Sequence, residues 1–253
     1  MKVVIAIDSF KGCLTSKEAN EAAAEGIRNA HPEAEIIEVP VSDGGEGYME
    51  AFHAAIGGRL EEVAVRDPLM RTITAKYLLH NEMAVIEMAQ ASGLTLLTNE
   101  ERNPMVATSY GTGQLVADAV RKGARRIIVG LGGSATSDAG MGMLKALIDT
   151  TNKDRWDDIE DLKDVSFTIA SDVKNPLCGE KGAAHVFAPQ KGATPEMVLR
   201  LDERARLFAE ISAKHFGYDR SQMAGAGAAG GLGYAFLQYL NAKSMSGIQL
   251  LHL

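Results

Sequence analysis

The feature of this sequence that most constrains its fold is the opening, where a helix signal separates two β-like segments. Residues 2–7, KVVIAI, form an apolar run that ends at Asp8 and is typical of a fully buried strand. Thr15 and Glu18 match the capping box that begins a helix, and residues 34–42, AEIIEVPVS, indicate a second strand. This order predicts a βαβ unit, and therefore a parallel sheet with a right-handed crossover.

Loops that follow the strands are the first candidates for a site, because ligands of open parallel sheets bind at the carboxyl edge. Five loops combine small residues with Asp, Lys, Ser or Thr. They are DSFKG (8–12), SDGGEG (42–47), GGSATSDAG (132–140), SDVKNPLCG (171–179) and APQKGA (188–193). Glycine lets backbone N–H groups approach an anion, lysine neutralises phosphate, and aspartate holds magnesium or accepts a proton.

Each loop also has a purely structural interpretation. A single glycine-rich turn is more often structural, Asp8 could be a cap, and Lys11 could be solvated. Residues 225–231, GAGAAGG, could serve close helix packing. The number of such loops and their positions after strands favour ligand binding.

The middle of the chain has a different pattern. Residues 58–68, 71–79 and 83–90 are short alternating segments that predict antiparallel pairing. We therefore predict a domain boundary at about residue 55–60. Further along, residues 165–173 and 183–189 predict two more strands.

The clearest helix signal in the sequence spans residues 195–216. It has Thr194 as N-cap, a proline at its first position and Gly217 just past its end.

Charge and composition exclude several classes of protein. The net charge of −7, with scattered Lys and Arg, gives no footprint for nucleic acid or an anionic membrane. Signal-peptide and membrane-spanning runs are lacking. Two distant cysteines predict reduced thiols and a cytoplasmic location. The six histidines show no metal-ligand spacing.

Familiar catalytic motifs are also missing from the sequence. It contains no G-x-S-x-G elbow and no G-x-x-x-x-G-K-[ST] loop, and no dinucleotide fingerprint follows the first strand. Phosphoryl transfer with a phosphate loop of another kind is the remaining class.

Seven segments together resemble the bacterial glycerate kinase family, of the ATP-dependent glycerate 2-kinase type. They are AIDSFKGCLTSKEA, PVSDGGEG, RDPLMR, GTGQL, GLGGSATSDAGMG, SDVKNPLCGEKGAAHVFAPQKGAT and AGAGAAGGLG, in the family's order. A weaker likeness is to the sugar and mevalonate kinases, whose loop reads G-L-G-S-S-A. The sequence departs from that loop in its fourth residue.

The resemblance implies an α/β protein of two domains with the active site between them. Residues 1–56 would be the N-terminal part of a Rossmann-like domain, and residues 57–253 a second, mixed α/β lobe. The implied reaction transfers the γ-phosphoryl group of ATP to D-glycerate, giving 2-phosphoglycerate, with Mg²⁺ offsetting charge on the phosphates. The partner is thus a small molecule, with no nucleic acid or membrane, and the oligomeric state is open.

Two departures from the family pattern set a further expectation. Family members continue beyond the position that matches Leu253, and they have more chain than residues 149–165 provide. The Rossmann-like domain is therefore expected to be incomplete, with exposed apolar edges. An inactive ligand-binding remnant, or a kinase for another hydroxy acid, remains an alternative.

Motif membership and residue chemistry together assign roles. The predicted catalytic residues are Asp43, as first choice of base, Asp8, as second, and the charge neutralisers Lys11 and Lys191. Predicted substrate-binding residues are Arg71, as carboxylate clamp, with Ser9, Gly44, Gly45 and Glu46. The ATP phosphates are expected on Gly132, Gly133, Ser134, Thr136 and Ser137, and the metal on Asp138 or Asp172.

Overall fold

The computed structural model describes residues 1–10, 13–42 and 44–250. The chain begins with strand β1 (Lys2–Ile5), helix α1 (Ser16–Ala30) and strand β2 (Glu35–Glu38), and the two strands pair in parallel. Thr15 and Glu18 form the capping box at the start of α1. The predicted βαβ opening is therefore confirmed.

A buried asparagine of α1 fixes the ends of both strands. Asn20 Oδ1 accepts a hydrogen bond from the Ile7 amide at 2.9 Å, and its Nδ2 donates to the Val39 carbonyl at 3.1 Å. The hydroxyl of Ser16 donates to the Ile7 carbonyl at 2.6 Å and accepts from the Val41 amide. The start of α1 thereby sets the directions in which the loops after β1 and β2 leave.

The expectation that the first strand is fully buried is wrong. Val4 is 61% exposed and its partner Ile37 is 37% exposed, whereas Ile5 is buried. The reason is that β1 and β2 form a two-stranded sheet among the described residues, and α1 covers one of its faces. The exposed apolar side chains Val4 and Ile37 lie on the other face.

The second sheet has six strands and carries most of the core. Helix α2 (Tyr48–Ile56) precedes this sheet in the chain. The next elements, in chain order, are β3 (Arg59–Arg66), β4 (Thr72–His80), β5 (Met83–Glu87), α3 (Ala89–Ser92), α4 (Tyr110–Arg121) and β6 (Arg126–Gly130). After β6 the chain forms α5 (Met141–Thr150), β7 (Ser166–Ala170), α6 (Ala183–Phe187), α7 (Pro195–Phe216), α8 (Ala228–Tyr239), β8 (Lys243–Met245) and α9 (Gly247–Leu250).

The strand order is β3-β4-β5-β6-β7-β8. The β3–β4 and β4–β5 pairs are antiparallel, as the alternating segments predict, and the β5–β6, β6–β7 and β7–β8 pairs are parallel. The α/β fold class is confirmed. Within the described residues, none of the helices combines the length and apolar character needed to cross a membrane.

Side chains alternate between two cores on the faces of this sheet. Ile127, Val129 and Ile169 point into the larger core, formed with helices α4, α5 and α8. Ile128 and Ala170 point to the other face, where Tyr48, Met49 and Phe52 of α2 cover them. Helix α2, placed in the first unit by the predicted boundary, therefore packs on the six-stranded sheet.

Residues 183–189, predicted as a strand, are a correction: Ala183–Phe187 form helix α6, and Pro189–Lys191 a 3₁₀ turn. An apolar run this short has no periodicity that separates a strand from a helix. Ala184 and Ala188 pack against Val198 and Leu201 of α7, and this contact decides the conformation. The predicted helix over 195–216, with its Thr194 cap, is confirmed.

The loop after β2 crosses the carboxyl edge of the six-stranded sheet in backbone contact. The Gly132 amide donates to the Gly44 carbonyl at 3.2 Å. A Cβ on Gly132 would lie 2.4 Å from the Gly45 Cα, and one on Gly130 would lie 2.5 Å from the Gly44 oxygen. These glycines are required because any side chain would push the loop off the strand ends.

We expect Gly132→Ala to lower the free energy of unfolding by about 1–3 kcal/mol, because the new methyl overpacks a backbone contact. The matched control is Gly26→Ala in α1, where a Cβ meets nothing within 4 Å. That change should raise stability by about 0.5–1 kcal/mol through helix propensity. Urea unfolding of both variants checks the pair, and equal effects would contradict the close-contact interpretation.

Candidate active site

The glycine-rich loop after β6 is held along one side by the segment that follows α3. Leu94 donates its amide to the Gly133 carbonyl at 2.8 Å, and Ala135 donates to the Ser92 carbonyl at 2.9 Å. Gly132 and Gly133 remain partly accessible, whereas Ser134, Thr136 and Ser137 are buried. The loop therefore has an open glycine end and a buried hydroxyl end.

Lys191 lies beneath this loop and is only 2% exposed. Its ammonium group donates to Ser134 Oγ at 2.7 Å and to the Thr136 carbonyl at 2.6 Å. Burial lowers the pKa of Lys191 to about 7, and Asp138 opposes this shift. The structure thus brings Lys191 together with the predicted phosphate loop, although the two are far apart in sequence.

Arg204 of α7 is a second cation on the same loop, which sequence reasoning missed. Its guanidinium donates to the Ser137 carbonyl at 2.9 Å and to the Met105 carbonyl at 3.3 Å. Lys191 and Arg204 thus satisfy the carbonyls of two successive loop residues, Thr136 and Ser137. A charged residue within a long amphipathic helix gives no sequence signal for this role.

Three buried donors around the loop have no hydrogen-bond partner among the described residues. They are Thr136 Oγ1, Ser137 Oγ and Arg102 Nε. Gly192 packs on the Arg102 carbonyl, which places this arginine beside the 188–192 turn that carries Lys191. Buried polar groups are normally satisfied, so such orphans mark a strained region or the place of a ligand.

Asp138 closes the loop and joins two helix N-termini. Its Oδ2 accepts from the amide and hydroxyl of Ser109 at 2.8 and 2.9 Å and from the Gly142 amide at 3.1 Å, and its Oδ1 accepts from the Gly140 amide at 3.0 Å. The N-termini of α4 and α5 therefore converge on one buried carboxylate, where helix dipoles favour negative charge.

The GAGAAGG segment serves close packing, which is the structural interpretation that the sequence left open. A Cβ on Gly230 would lie 1.9 Å from the Thr136 carbonyl, and the Gly230 carbonyl accepts from the Ala139 amide at 3.1 Å. Ala229, Gly230 and Gly231 are all left-handed. Small residues here let the start of α8 lie directly against the loop.

The two N-terminal motif loops meet at a cavity of about 400 Å³. Residues from the β1–α1 segment, the 42–47 loop, α2 and the end of β5 surround it. They include Ser9, Thr15, Ser16, Lys17, Glu46, Gly47, Glu50, Glu87 and Gln90. Larger hollows of about 590, 820, 440 and 410 Å³ lie around Trp156, Arg125, Leu199 and Arg59, and no predicted site residue lines them.

Of the remaining residues predicted for this end, Asp8 and Ser9 follow β1, and Asp8 Oδ1 accepts from the Ser9 amide at 2.6 Å. Gly44 and Gly45 form the backbone contact with the sheet edge. Lys11 and Asp43 lie outside the described residues.

Glu87 is the acidic residue that sequence reasoning missed. It ends β5 and is 4% exposed, and its Oε1 accepts from the Met49 amide at 2.8 Å. Burial, with a smaller effect of the Glu50 carboxylate, raises the pKa of Glu87 to about 7. A carboxylate directly after a buried strand run was the available signal.

Arg71, the predicted carboxylate clamp, is engaged by other groups. Its guanidinium donates to Asp67 Oδ2 at 2.5 Å, Glu101 Oε1 at 2.6 Å and the Leu96 carbonyl at 3.2 Å. Its fork is thus filled by two carboxylates of the chain itself. Binding of a substrate carboxylate would require an exchange of these partners.

The two predicted metal ligands differ in their surroundings. Asp138 has both oxygens occupied by the four hydrogen bonds described above, whereas Asp172 follows β7 at the carboxyl edge and is exposed. Within the part of the chain that the structure describes, no group of three His, Cys, Asp or Glu residues is placed to hold a metal ion. Asp172 is therefore the better-placed oxygen donor.

Comparisons with known proteins agree on one family. The model of the family described as "Glycerate kinase family" matches residues 3–157 and 148–252. The "Glycerate 2-kinase" of Escherichia coli K12 is 41% identical over 99% of this chain and 71% of its own length. The "Glycerate kinase" of Bacillus subtilis 168 is also 41% identical, over the same shares.

A solved structure gives the same result. The crystal structure described as glycerate kinase 2 from Salmonella typhimurium LT2 superposes with a TM-score of 0.83 at 40% identity. The match covers all of this chain and 74% of that one.

We expect Asp138→Asn to lower the free energy of unfolding by roughly 2–5 kcal/mol, because an amide nitrogen cannot accept from the converging N–H groups. Asp172→Asn, at an exposed site, should change stability by less than about 0.5 kcal/mol. Chemical unfolding of the two variants checks this contrast. A small effect at Asp138 would contradict the structural role that these hydrogen bonds assign to it.

Proposed function

The chain belongs to the glycerate kinase family, and from this membership we propose that it transfers the γ-phosphoryl group of ATP to D-glycerate and releases 2-phosphoglycerate. The observation that carries the proposal is the backbone contact of Gly44 and Gly45 with Gly132. This contact joins the loop that carries Gly44 and Gly45 to the loop 132–138 at the carboxyl edge of the six-stranded sheet. We also propose that the substrate is a small molecule and that the protein acts in the cytoplasm.

The nucleotide end of the site is the loop 132–138. We assign the phosphates to this loop, entering from its accessible glycine end and reaching the hydroxyls of Thr136 and Ser137 as donors. Support comes from their burial without partners and from Lys191 and Arg102 nearby. An anion beside Lys191 would favour its charged form and offset the effect of burial on its pKa.

The chemistry of the donor set fits a magnesium ion held mainly by phosphate oxygens and water, with one carboxylate from the protein. We assign that carboxylate to Asp172 rather than to Asp138, whose oxygens are occupied. Bound there, Mg²⁺ would offset negative charge on the transferred group.

The acceptor end is the 400 Å³ cavity beside the 42–47 loop. Ser9 offers a hydroxyl group, and Lys17 would supply a positive charge for the carboxylate of the hydroxy acid by leaving its ion pair with Glu21. Arg71 would contribute only by leaving Asp67 and Glu101. The acceptor hydroxyl also needs a proton acceptor, for which the sequence offers Asp43 and Asp8.

A coupled assay of ADP release with Mg²⁺-ATP and a panel of hydroxy acids tests the function. Turnover with D-glycerate, and 2-phosphoglycerate as product by NMR, is the expected result. Turnover restricted to another acceptor would make the protein a different hydroxy-acid kinase. Nucleotide binding with no turnover on any acceptor would make it a ligand-binding relative.

We expect Thr136→Val to raise the KM for ATP roughly tenfold while leaving the free energy of unfolding unchanged or higher. The hydroxyl has no partner to lose in the protein, whereas a charge-assisted hydrogen bond to phosphate is worth about 1.5–3 kcal/mol. Initial rates at varied ATP and urea unfolding measure the two effects.

Thr112→Val is the matched control for this change. Thr112 is equally buried, but its hydroxyl pairs with Ser92 Oγ at 2.8 Å. This variant should lose about 1 kcal/mol of stability and keep its KM for ATP. A normal KM in Thr136→Val would remove that hydroxyl from the phosphate site.

A further inference from the structure

Glu87 stands where the acceptor cavity meets the phosphate loop. It is the last residue of β5 and lies in register with Gly130, the last residue of β6. The next amide, of Met88, donates to the Gly130 carbonyl at 3.1 Å. The phosphate loop therefore begins directly beside the backbone of Glu87.

Its carboxylate has polar neighbours on α2 and α3, and a hydrogen bond joins it to the Glu50 carboxyl of α2. Oε1 accepts from the Met49 amide in the first turn of α2 at 2.8 Å, and Oε2 lies 3.5 Å from Gln90 Nε2. Glu87 and Gln90 both line the cavity of about 400 Å³. A substrate hydroxyl would replace the weak Gln90 contact, beside the hydrogen bond that joins Glu87 to the Glu50 carboxyl.

The same cavity gathers groups from two motif-bearing loops. Ser9 belongs to the loop after β1, and Glu46 and Gly47 belong to the loop after β2. Gly44 in that second loop touches Gly132 of the phosphate loop. A hydroxy acid in the cavity would therefore lie beside Glu87 and beside the loop that touches Gly132.

We propose that Glu87 is the catalytic base that accepts the proton of the hydroxyl group being phosphorylated, an inference that rests on the proposed function. Its carboxylate takes the hydroxyl proton while the oxygen lone pair forms the new bond to the γ-phosphorus. The bond from that phosphorus to the β–γ bridging oxygen breaks, and its electron pair leaves with ADP. Atoms and charge balance without another reactant.

The surroundings of Glu87 suit this task. Burial and the nearby Glu50 carboxylate raise its pKa to about 7, where a base combines sufficient ionisation with sufficient proton affinity. The other charged groups lining the cavity are Glu46 from the 42–47 loop and Lys17 from α1. Asp8 precedes Ser9 in the loop after β1, and its Oδ1 accepts a hydrogen bond from the Ser9 amide.

The test compares pH profiles of the wild type, Glu87→Gln, Glu87→Asp and Asp43→Asn in the glycerate assay. Glu87→Gln should lose roughly 10²–10⁴-fold in kcat, with a KM for glycerate within about threefold, and should lose the fall in rate toward acidic pH. Glu87→Asp should keep a weakened rate and an acidic limb. Glu62→Gln, on the exposed edge strand β3, is the surface control.

Whether Glu87→Gln folds is tested separately. Glutamine keeps a carbonyl oxygen that can accept the hydrogen bond from the Met49 amide, so we expect the variant to fold. Since burial raises the pKa of Glu87, the wild-type free energy of unfolding should fall as the pH rises from 4.5 to about 7. In Glu87→Gln the free energy of unfolding should decrease less over this pH range. Above pH 7 it should be larger than that of the wild type. This result would show a folded variant whose lost activity comes from the missing carboxylate.

Three outcomes overturn the proposal. Turnover by Glu87→Gln within a few-fold of the wild type removes Glu87 from the reaction. An acidic limb that persists in Glu87→Gln and disappears in Asp43→Asn assigns the base to Asp43. A wild type without turnover on glycerate overturns the proposed function as well, whereas the first two outcomes leave that function in place.

Discussion

The contact on which the site depends is the backbone approach of Gly44 and Gly45 to Gly132. It brings the loop after β2 across the ends of β6 and β7 and starts α2 on the open face of the six-stranded sheet. The loop that follows the β1–β2 unit consequently lies at the carboxyl edge of the larger sheet. A cavity lies beside this contact, lined by residues of the loops after β1 and β2, of α1 and α2, and by Glu87 at the end of β5.

Buried charge gives the phosphate loop its shape. Asp138 accepts hydrogen bonds at the N-termini of two helices, α4 and α5. Lys191 donates hydrogen bonds to the Ser134 hydroxyl and the Thr136 carbonyl. Burying these ions costs desolvation energy, which only well-placed hydrogen bonds offset. The loop therefore has few alternative conformations, and its unpartnered hydroxyls keep their positions before any ligand arrives.

Sequence reasoning predicted the local elements and the composition of the site, because these follow from periodicity, caps and loop chemistry. The βαβ opening and the 195–216 helix are examples. It could not predict that residues 183–187 are helical, or that Arg71 is engaged by Asp67 and Glu101, because both depend on distant contacts. The exposure of Val4 likewise depends on which elements cover a strand, and a strand pattern does not reveal this.

The two perturbed ionisable groups at this edge shift in opposite directions for the same reason. Burial disfavours charge, so it lowers the pKa of Lys191 and raises that of Glu87, both to about 7. An anionic nucleotide at the loop would restore charge to the lysine by direct attraction. The glutamate needs no such help, since loss of its proton to solvent near neutrality leaves a carboxylate ready to accept another. One desolvated edge can therefore provide a phosphate-binding cation and a base.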